Sequence, residues 1–397
     1  MGERRVRIAK AVGSTPICST KPGFLHVTRK DFLKQLCVLA GASLLELDVA
    51  RIAHAASGIE RHTALYWMPL ENKLLQCQLC PRKCPIPDKK RGFCGVRENN
   101  EGSLYTLVYA SAAAIHIDPI EKKPLFHFLP GTSAFSIATA GCNLRCKFCQ
   151  NWEISQSKPE EVQPTHISPE SIVAQAKKAG SKTVAYTYTE PTVFYEYMLD
   201  TIKLAKESGL KNVMHSAGFI NEEPLRNLCK YLDAANIDLK AFTQGYYSDI
   251  CSGNLDDILR TLKIIKEEGV HLEITNLVLP NLNDSPEQIR KMCLWIKENL
   301  GVDTPLHFSR FWPMYKLSNL SPTPVATLEK AQVFAKDIGL RYVYIGNVPG
   351  HQGETTFCPK CAKPLVVRIG YALKAYDILD GRCKFCNEKI EGVWASA

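Results

Sequence analysis

From about residue 134 onward, apolar positions fall into short runs rich in β-branched and aromatic residues, separated by longer stretches with helical spacing. The short runs predict strands over Ala134–Thr139, Thr183–Tyr188, Asn212–His215, Ala234–Leu239, Val270–Leu279, Leu306–Phe311 and Arg341–Ile345. The stretches between them predict helices over Ser168–Ala179, Thr192–Ser208, Glu222–Tyr231, Asp256–Glu268, Pro286–Leu300 and Ala326–Ile338. Start and stop signals agree with this reading. Ser168-Pro169 is a helix-opening pair, and Gly209 follows the end of the second helix. Strand–helix alternation predicts an α/β fold with a parallel sheet and crossover helices. Periodicity does not separate an open sheet from a barrel. In either form, chemistry gathers at the carboxyl ends of the strands.

The chain has 397 residues, enough for one large domain with small appendages. Its net charge of +9 is modest for that length and carries no strong nucleic-acid signal. No stretch is long and apolar enough to span a membrane. The 16 cysteines are clustered, which in a chain of this size points to metal and a reducing compartment rather than to disulfides. Four parts are expected: an extension over 1–58, a Cys-rich metal-binding segment over 59–132, the α/β domain over 133–350 and a zinc-ribbon-like module with four cysteines over 351–397.

Three clusters take eleven cysteines. The middle one, Cys142, Cys146 and Cys149, lies in Gly141-Cys-Asn-Leu-Arg-Cys-Lys-Phe-Cys-Gln-Asn-Trp152 with Cys-x3-Cys-x2-Cys spacing. Three thiolates hold three irons of a four-iron cubane and leave the fourth iron bare, whereas electron-transfer clusters use four. The alternatives are structural zinc or a plain ferredoxin cluster, and zinc prefers four ligands in paired knuckles. Cys77-x2-Cys80-x3-Cys84-x9-Cys94 suffices for zinc or a second iron–sulfur cluster, and its spacing matches neither common pattern. Cys358-x2-Cys361 and Cys383-x2-Cys386 have the spacing of a zinc ribbon or rubredoxin, with zinc favoured. Cys18, Cys37, Cys229, Cys251 and Cys293 read as small buried hydrophobes.

Other candidates sit at strand ends. Tyr186, Tyr188 and Glu190 alternate and so are expected on one face, with Pro191 opening the next helix. Glu190 also fits a capping carboxylate at a helix start. Asp238 and Lys240, two apart, share a face at the end of the fourth strand, where a mere ion pair is the alternative. His307 lies on the sixth strand and Glu273 and Asn276 on the fifth, with Asn283-Asp284 in the loop that follows. The Lys122-Lys123 pair and His127 would either meet a substrate at the barrel entrance or form a turn.

The cysteine loop, with its Cys-Lys-Phe-Cys ending, resembles the signature of the radical S-adenosylmethionine (SAM) enzymes. Together with Cys77–Cys94, Ile120-Glu-Lys-Lys-Pro-Leu125, Tyr186–Pro191, Asp238-Leu-Lys240, Tyr344-Ile-Gly-Asn-Val348 and the terminal cysteines, Leu65–Trp394 resembles the AmmeMemoRadiSam system radical SAM enzyme, a group within the pyruvate formate-lyase activating enzyme-like proteins. The resemblance implies a partial (β/α)6 barrel with the cluster loop after its first strand. It also implies a [4Fe-4S] cluster whose bare iron is chelated by SAM, and reductive cleavage to a 5′-deoxyadenosyl radical that abstracts hydrogen. By the same resemblance Cys142, Cys146 and Cys149 are catalytic, and Glu190, Asp238, Lys240 and His307 bind SAM. Glycines usual before the glutamate are here Tyr188 and Thr189. The implied partners are a low-potential electron donor of flavodoxin or ferredoxin type and a protein substrate. Modification of a small molecule or RNA, or a non-enzymatic metal scaffold, are the competing readings.

Thr28-Arg29-Lys30-Asp31-Phe32-Leu33-Lys34 resembles a twin-arginine signal with Lys30 in place of the second arginine. Glu46, Asp48 and Arg51 interrupt the apolar run after it. A cytoplasmic protein is the expectation, with twin-arginine export as the alternative.

Overall fold

The computed structural model describes residues 59–394, so the twin-arginine-like segment, Cys18 and Cys37 lie outside the described residues. At its centre is an eight-stranded sheet: β1 (Ala114–Pro119), β2 (Ser133–Ala138), β3 (Thr183–Tyr186), β4 (Lys211–Ser216), β5 (Ala234–Asp238), β6 (His271–Val278), β7 (Leu306–Arg310) and β8 (Val343–Gly346). Strands β2 to β8 are neighbours in chain order and parallel, and β1 pairs antiparallel with β2 at one edge. The seven parallel strands are those the apolar runs predict. The expected six-stranded unit is longer by one: Val343, Tyr344 and Ile345 are buried and extend the ladder beyond β7. Strands β1 and β8 do not pair, so the barrel is open. Strand β1 ends in Pro119, tolerable because an edge strand has ladder donors to spare.

Crossover helices α1 (Pro169–Lys178), α2 (Tyr195–Glu207), α3 (Glu222–Cys229), α4 (Leu255–Glu267), α5 (Pro286–Leu300) and α6 (Val325–Ile338) follow the strands. In α4 the buried positions Leu255, Ile258, Leu262 and Ile265 recur at helical spacing and form the face turned to the sheet. Helix α1 begins as its sequence predicts: the Ser168 hydroxyl accepts the Ser171 N–H at 3.3 Å, with Pro169 first in the helix. Helix α2 stops before Gly209, whose φ of +77° suits the left-handed turn.

The 120–129 segment differs from the expected entrance loop. Ile120, Leu125 and Phe128 pack on Ala134, Ala185, Val213 and Ala234 of the central strands, and Lys123 and His127 are buried. The C-terminal module, a three-stranded sheet (Thr356–Phe357, Pro364–Ile369, Ala372–Tyr376) with a short hairpin, docks on this segment. Arg368 donates to the Phe126 carbonyl at 2.7 Å, and the Val393 N–H donates to that of His127 at 2.7 Å. Among the described residues no helix is long and apolar enough to cross a membrane.

Candidate active site

The loop carrying Cys142, Cys146 and Cys149 leaves the carboxyl end of β2, where a parallel α/β sheet places its chemistry. It is held on two sides. Arg145 and Lys147 N–H groups donate to the carbonyls of Cys251 and Ile250, at 2.8 and 2.9 Å. On the other side Gly141 takes a φ of +92°, and a Cβ there would lie 2.8 Å from the Cys94 carbonyl oxygen. Asn151 donates to the Tyr188 carbonyl and the Thr189 hydroxyl to the Thr139 carbonyl, which ties the loop to the end of β3.

The three thiols have different surroundings. Burial and the Glu190 charge push Cys142 up, and its sulfur accepts the Leu144 N–H at 3.4 Å. Burial raises Cys149, which lies 3.2 Å from the Ser155 hydroxyl. Cys146 goes the other way, held down chiefly by the neighbouring Cys251 thiol and by the Lys240 charge. Among the described residues, three or more ligand atoms lie within 4.8 Å of one another only in the C-terminal set. The looser loop suits three corners of a cubane, each thiolate on a different iron.

Asp238 and Lys240 lie beside the loop. Lys240 Nζ is 2.8 Å from Asp238 Oδ2, and His215 Nε2 is 3.2 Å from Oδ1. Burial alone would raise the Asp238 carboxyl, but Lys240 and His215 hold it well below the carboxylate range. Burial lowers Lys240, yet Asp238, Cys146 and Cys251 outweigh it and keep the ammonium charged. An ammonium and a carboxylate beside three thiols are suited to an amino-acid zwitterion.

Glu190 is buried and already bonded. Its Oε1 accepts the Thr192 N–H and hydroxyl and the Ser216 hydroxyl at 3.2, 2.7 and 2.6 Å; its Oε2 accepts the Ala217 N–H at 2.8 Å. It therefore caps the turn Pro191–Phe194 and ties β3 to β4. The expected common face of Tyr186, Tyr188 and Glu190 does not form. Strand β3 ends at Tyr186, and Tyr188 has a φ of +62°, which breaks the two-residue alternation. The Tyr188 hydroxyl instead meets Asp118, which Lys123 pairs at 2.6 Å.

His307 is brought to Glu273 rather than to the thiols. Its Nε2 lies 2.7 Å from Glu273 Oε2, and its ring stacks on Tyr344 at 5.0 Å. Glu273 also accepts the N–H groups of Phe126 and His127, so it is a core carboxylate binding the 120–129 segment to β6. Asn276 and Asn283 brace the Lys240 loop through the carbonyls of Leu239 and Lys240. Asp284 accepts the Asn281 N–H within its own loop.

Two contributors were not legible as such. Cys251, expected as a plain buried hydrophobe, ends a π-helical turn (Tyr247–Cys251) that presents its thiol to Cys146. His215 lies on β4 with no motif around it. Cys229 and Cys293 are buried, as expected.

Cys358, Cys361, Cys383 and Cys386 converge. Their sulfurs are 3.5 Å apart for Cys358–Cys386 and 3.7 Å for Cys361–Cys383. A tetrahedron with metal–sulfur bonds of about 2.3 Å has edges of about 3.8 Å. The four thiols thus fit one tetrahedral ion.

An open, mostly parallel sheet with a three-cysteine loop and an ion pair at its carboxyl edge is the arrangement that the radical SAM resemblance implies. Sequence comparison agrees with it. The profile of the Radical SAM superfamily matches residues 136–293. Protein MJ0808 of Methanocaldococcus jannaschii is 46% identical over 330 residues, covering 83% of this chain and 98% of that protein. A pyruvate formate-lyase-activating enzyme of Clostridium pasteurianum is 24% identical over 211 residues, covering 50% of this chain and 88% of the enzyme. A crystal structure of a domain of such an enzyme from Bacteroides vulgatus aligns with a TM-score of 0.37 and 15% identity, covering 41% of this chain and 98% of that one. The chain belongs to the radical SAM superfamily and is an enzyme. Membership implies a [4Fe-4S] cluster and SAM.

Proposed function

We propose that Cys142, Cys146 and Cys149 hold the [4Fe-4S] cluster and that SAM binds beside them against Asp238 and Lys240. The observation that carries this is the Lys240–Asp238 pair, 2.8 Å long, at the carboxyl end of β5 and set against the cysteine loop, with Lys240 Nζ 5.5 Å from the centre of the Phe148 ring. Asp238 would take the ammonium of SAM and Lys240 its carboxylate. Glu190 fixes the rim formed by β3 and β4 and would reach the ammonium by exchanging an internal bond. His307 would act through Glu273 on the wall behind the site. When bound, the cluster supplies the electron that splits the S–C5′ bond, leaving methionine and a 5′-deoxyadenosyl radical that takes a hydrogen atom from substrate.

The likeness to pyruvate formate-lyase-activating enzymes supports a partner protein as the substrate, and the resemblance of the sequence motifs supports the AmmeMemoRadiSam system group. The electron would come from a flavodoxin- or ferredoxin-type donor, and the C-terminal four cysteines would hold zinc. The test is anaerobic: iron- and sulfide-loaded protein is reduced, given SAM and assayed for 5′-deoxyadenosine. Its formation is expected. An intact cluster that neither yields it nor changes its spectrum with SAM would overturn the reading.

A further inference from the structure

Cys77, Cys80, Cys84 and Cys94 come from separate places in the small N-terminal sheets. Cys77 ends the strand Leu75–Cys77, Cys84 precedes the strand Pro85–Ile86, and Cys80 and Cys94 lie in turns. All four line one cavity, walled by Leu79, Ile86 and Val193. Arg97 lines it as well and is 1% exposed. Its Nη2 bonds Glu196 Oε1 at 3.0 Å, while its Nε and Nη1 meet no acceptor among the described residues. Buried donors without acceptors are rare, and a guanidinium left so beside four thiols calls for an anionic group in that cavity.

The spacing of the sulfurs decides what kind. A single zinc needs its four sulfurs within about 3.8 Å of one another. The C-terminal four lie within 4.8 Å of one another, with two pairs at 3.5 and 3.7 Å, whereas among the described residues Cys77, Cys80, Cys84 and Cys94 form no such tight set. A cubane spreads its thiolates over four irons, so it needs convergent but separated cysteines. The site also abuts the catalytic loop. Asn143, next to Cys142, lines the same cavity; Arg82 donates from between Cys80 and Cys84 to the Asn143 carbonyl at 2.6 Å; and the Cys94 carbonyl packs on Gly141.

We propose that Cys77, Cys80, Cys84 and Cys94 hold a second four-iron, four-sulfur cluster, hydrogen-bonded by Arg97 and set against the wall of the Cys142 loop. The inference rests on the Cys142 loop holding the first cluster. The second cluster has all four irons ligated by protein, so it binds no SAM and carries one electron at a time from a low-potential donor toward the first.

The test uses the full chain, reconstituted anaerobically with iron and sulfide. The wild type is expected to hold roughly eight iron and eight sulfide, and the Cys142→Ala/Cys146→Ala/Cys149→Ala variant roughly four of each. After reduction that variant should give a four-iron paramagnetic resonance signal that SAM leaves unchanged. A wild type with only about four iron and four sulfide, or a triple variant holding zinc without sulfide, would overturn the proposal. If the triple variant does not fold, the wild-type count and the electrons taken up per chain decide, two expected and one contrary. Failure of the SAM reading is separable, since it appears as a wild-type spectrum indifferent to SAM whatever the iron count.

Discussion

Replacing Gly141 by alanine probes how the two cysteine segments are fitted together. A Cβ at Gly141 would lie 2.5 Å from a Val96 methyl and 2.8 Å from the Cys94 carbonyl oxygen. The methyl can rotate away, but the carbonyl is backbone and moves only with its cysteine. The φ of +92° adds about 1–2 kcal/mol for any residue with a Cβ. Overpacking of a rigid contact costs about 1–3 kcal/mol. The sum is about 3 kcal/mol, and the carbonyl must shift whichever way the strain is shared. Gly209→Ala is the control: its φ is +77°, but nothing lies within 4 Å of the added methyl, so only about 1–2 kcal/mol is expected. Guanidinium unfolding of the loaded proteins gives both values, and iron analysis shows whether loading falls for Gly141→Ala alone. Equal, small losses in the two variants with full iron would refute the close fit of the Cys94 segment against the Cys142 loop.

Lys240→Ala leaves the half-buried Asp238 with only His215 beside it; SAM affinity should fall roughly tenfold or more in a binding titration, and an unchanged Kd would remove the pair from the SAM site. Cys361→Ser breaks the tetrahedral set, so elemental analysis should find one ion fewer per chain and protease should cut within residues 356–390, while the iron count stays constant; an unchanged metal content would contradict the single-ion reading. Burial would raise Glu273, but His271 and His307 hold it below its ordinary 4.5. A lowered carboxyl contributes stability above that value and loses it as pH falls through the folded pKa. Glu273→Gln should thus cost about 2 kcal/mol at pH 7, and its gap to the wild type should narrow below about pH 4.5; a gap independent of pH would contradict the charged network.

Parallel strands were legible because each is a buried apolar run bounded by helix signals, and seven of them appear where those runs lie. The cysteine loop and the terminal knuckles were legible because their ligands are close in sequence. What the sequence hid depends on distant backbone. Cys251 meets Cys146 through a π-helical turn, which no periodicity signals. His215 reaches Asp238 only because β4 and β5 are neighbours in the sheet. Tyr188 leaves its expected face because its backbone turns left-handed, and Lys123 and His127 are buried because the 120–129 segment folds onto the sheet. Glu190 takes the capping reading of its motif, since its carboxylate accepts the Thr192 N–H and hydroxyl at the start of the turn.

The most direct measurement compares 5′-deoxyadenosine formation by the reduced wild type with that by Cys146→Ala, both anaerobically loaded with iron and sulfide. Product from the wild type and none from Cys146→Ala is the predicted result. Turnover retained by Cys146→Ala would contradict SAM cleavage at the Cys142 loop.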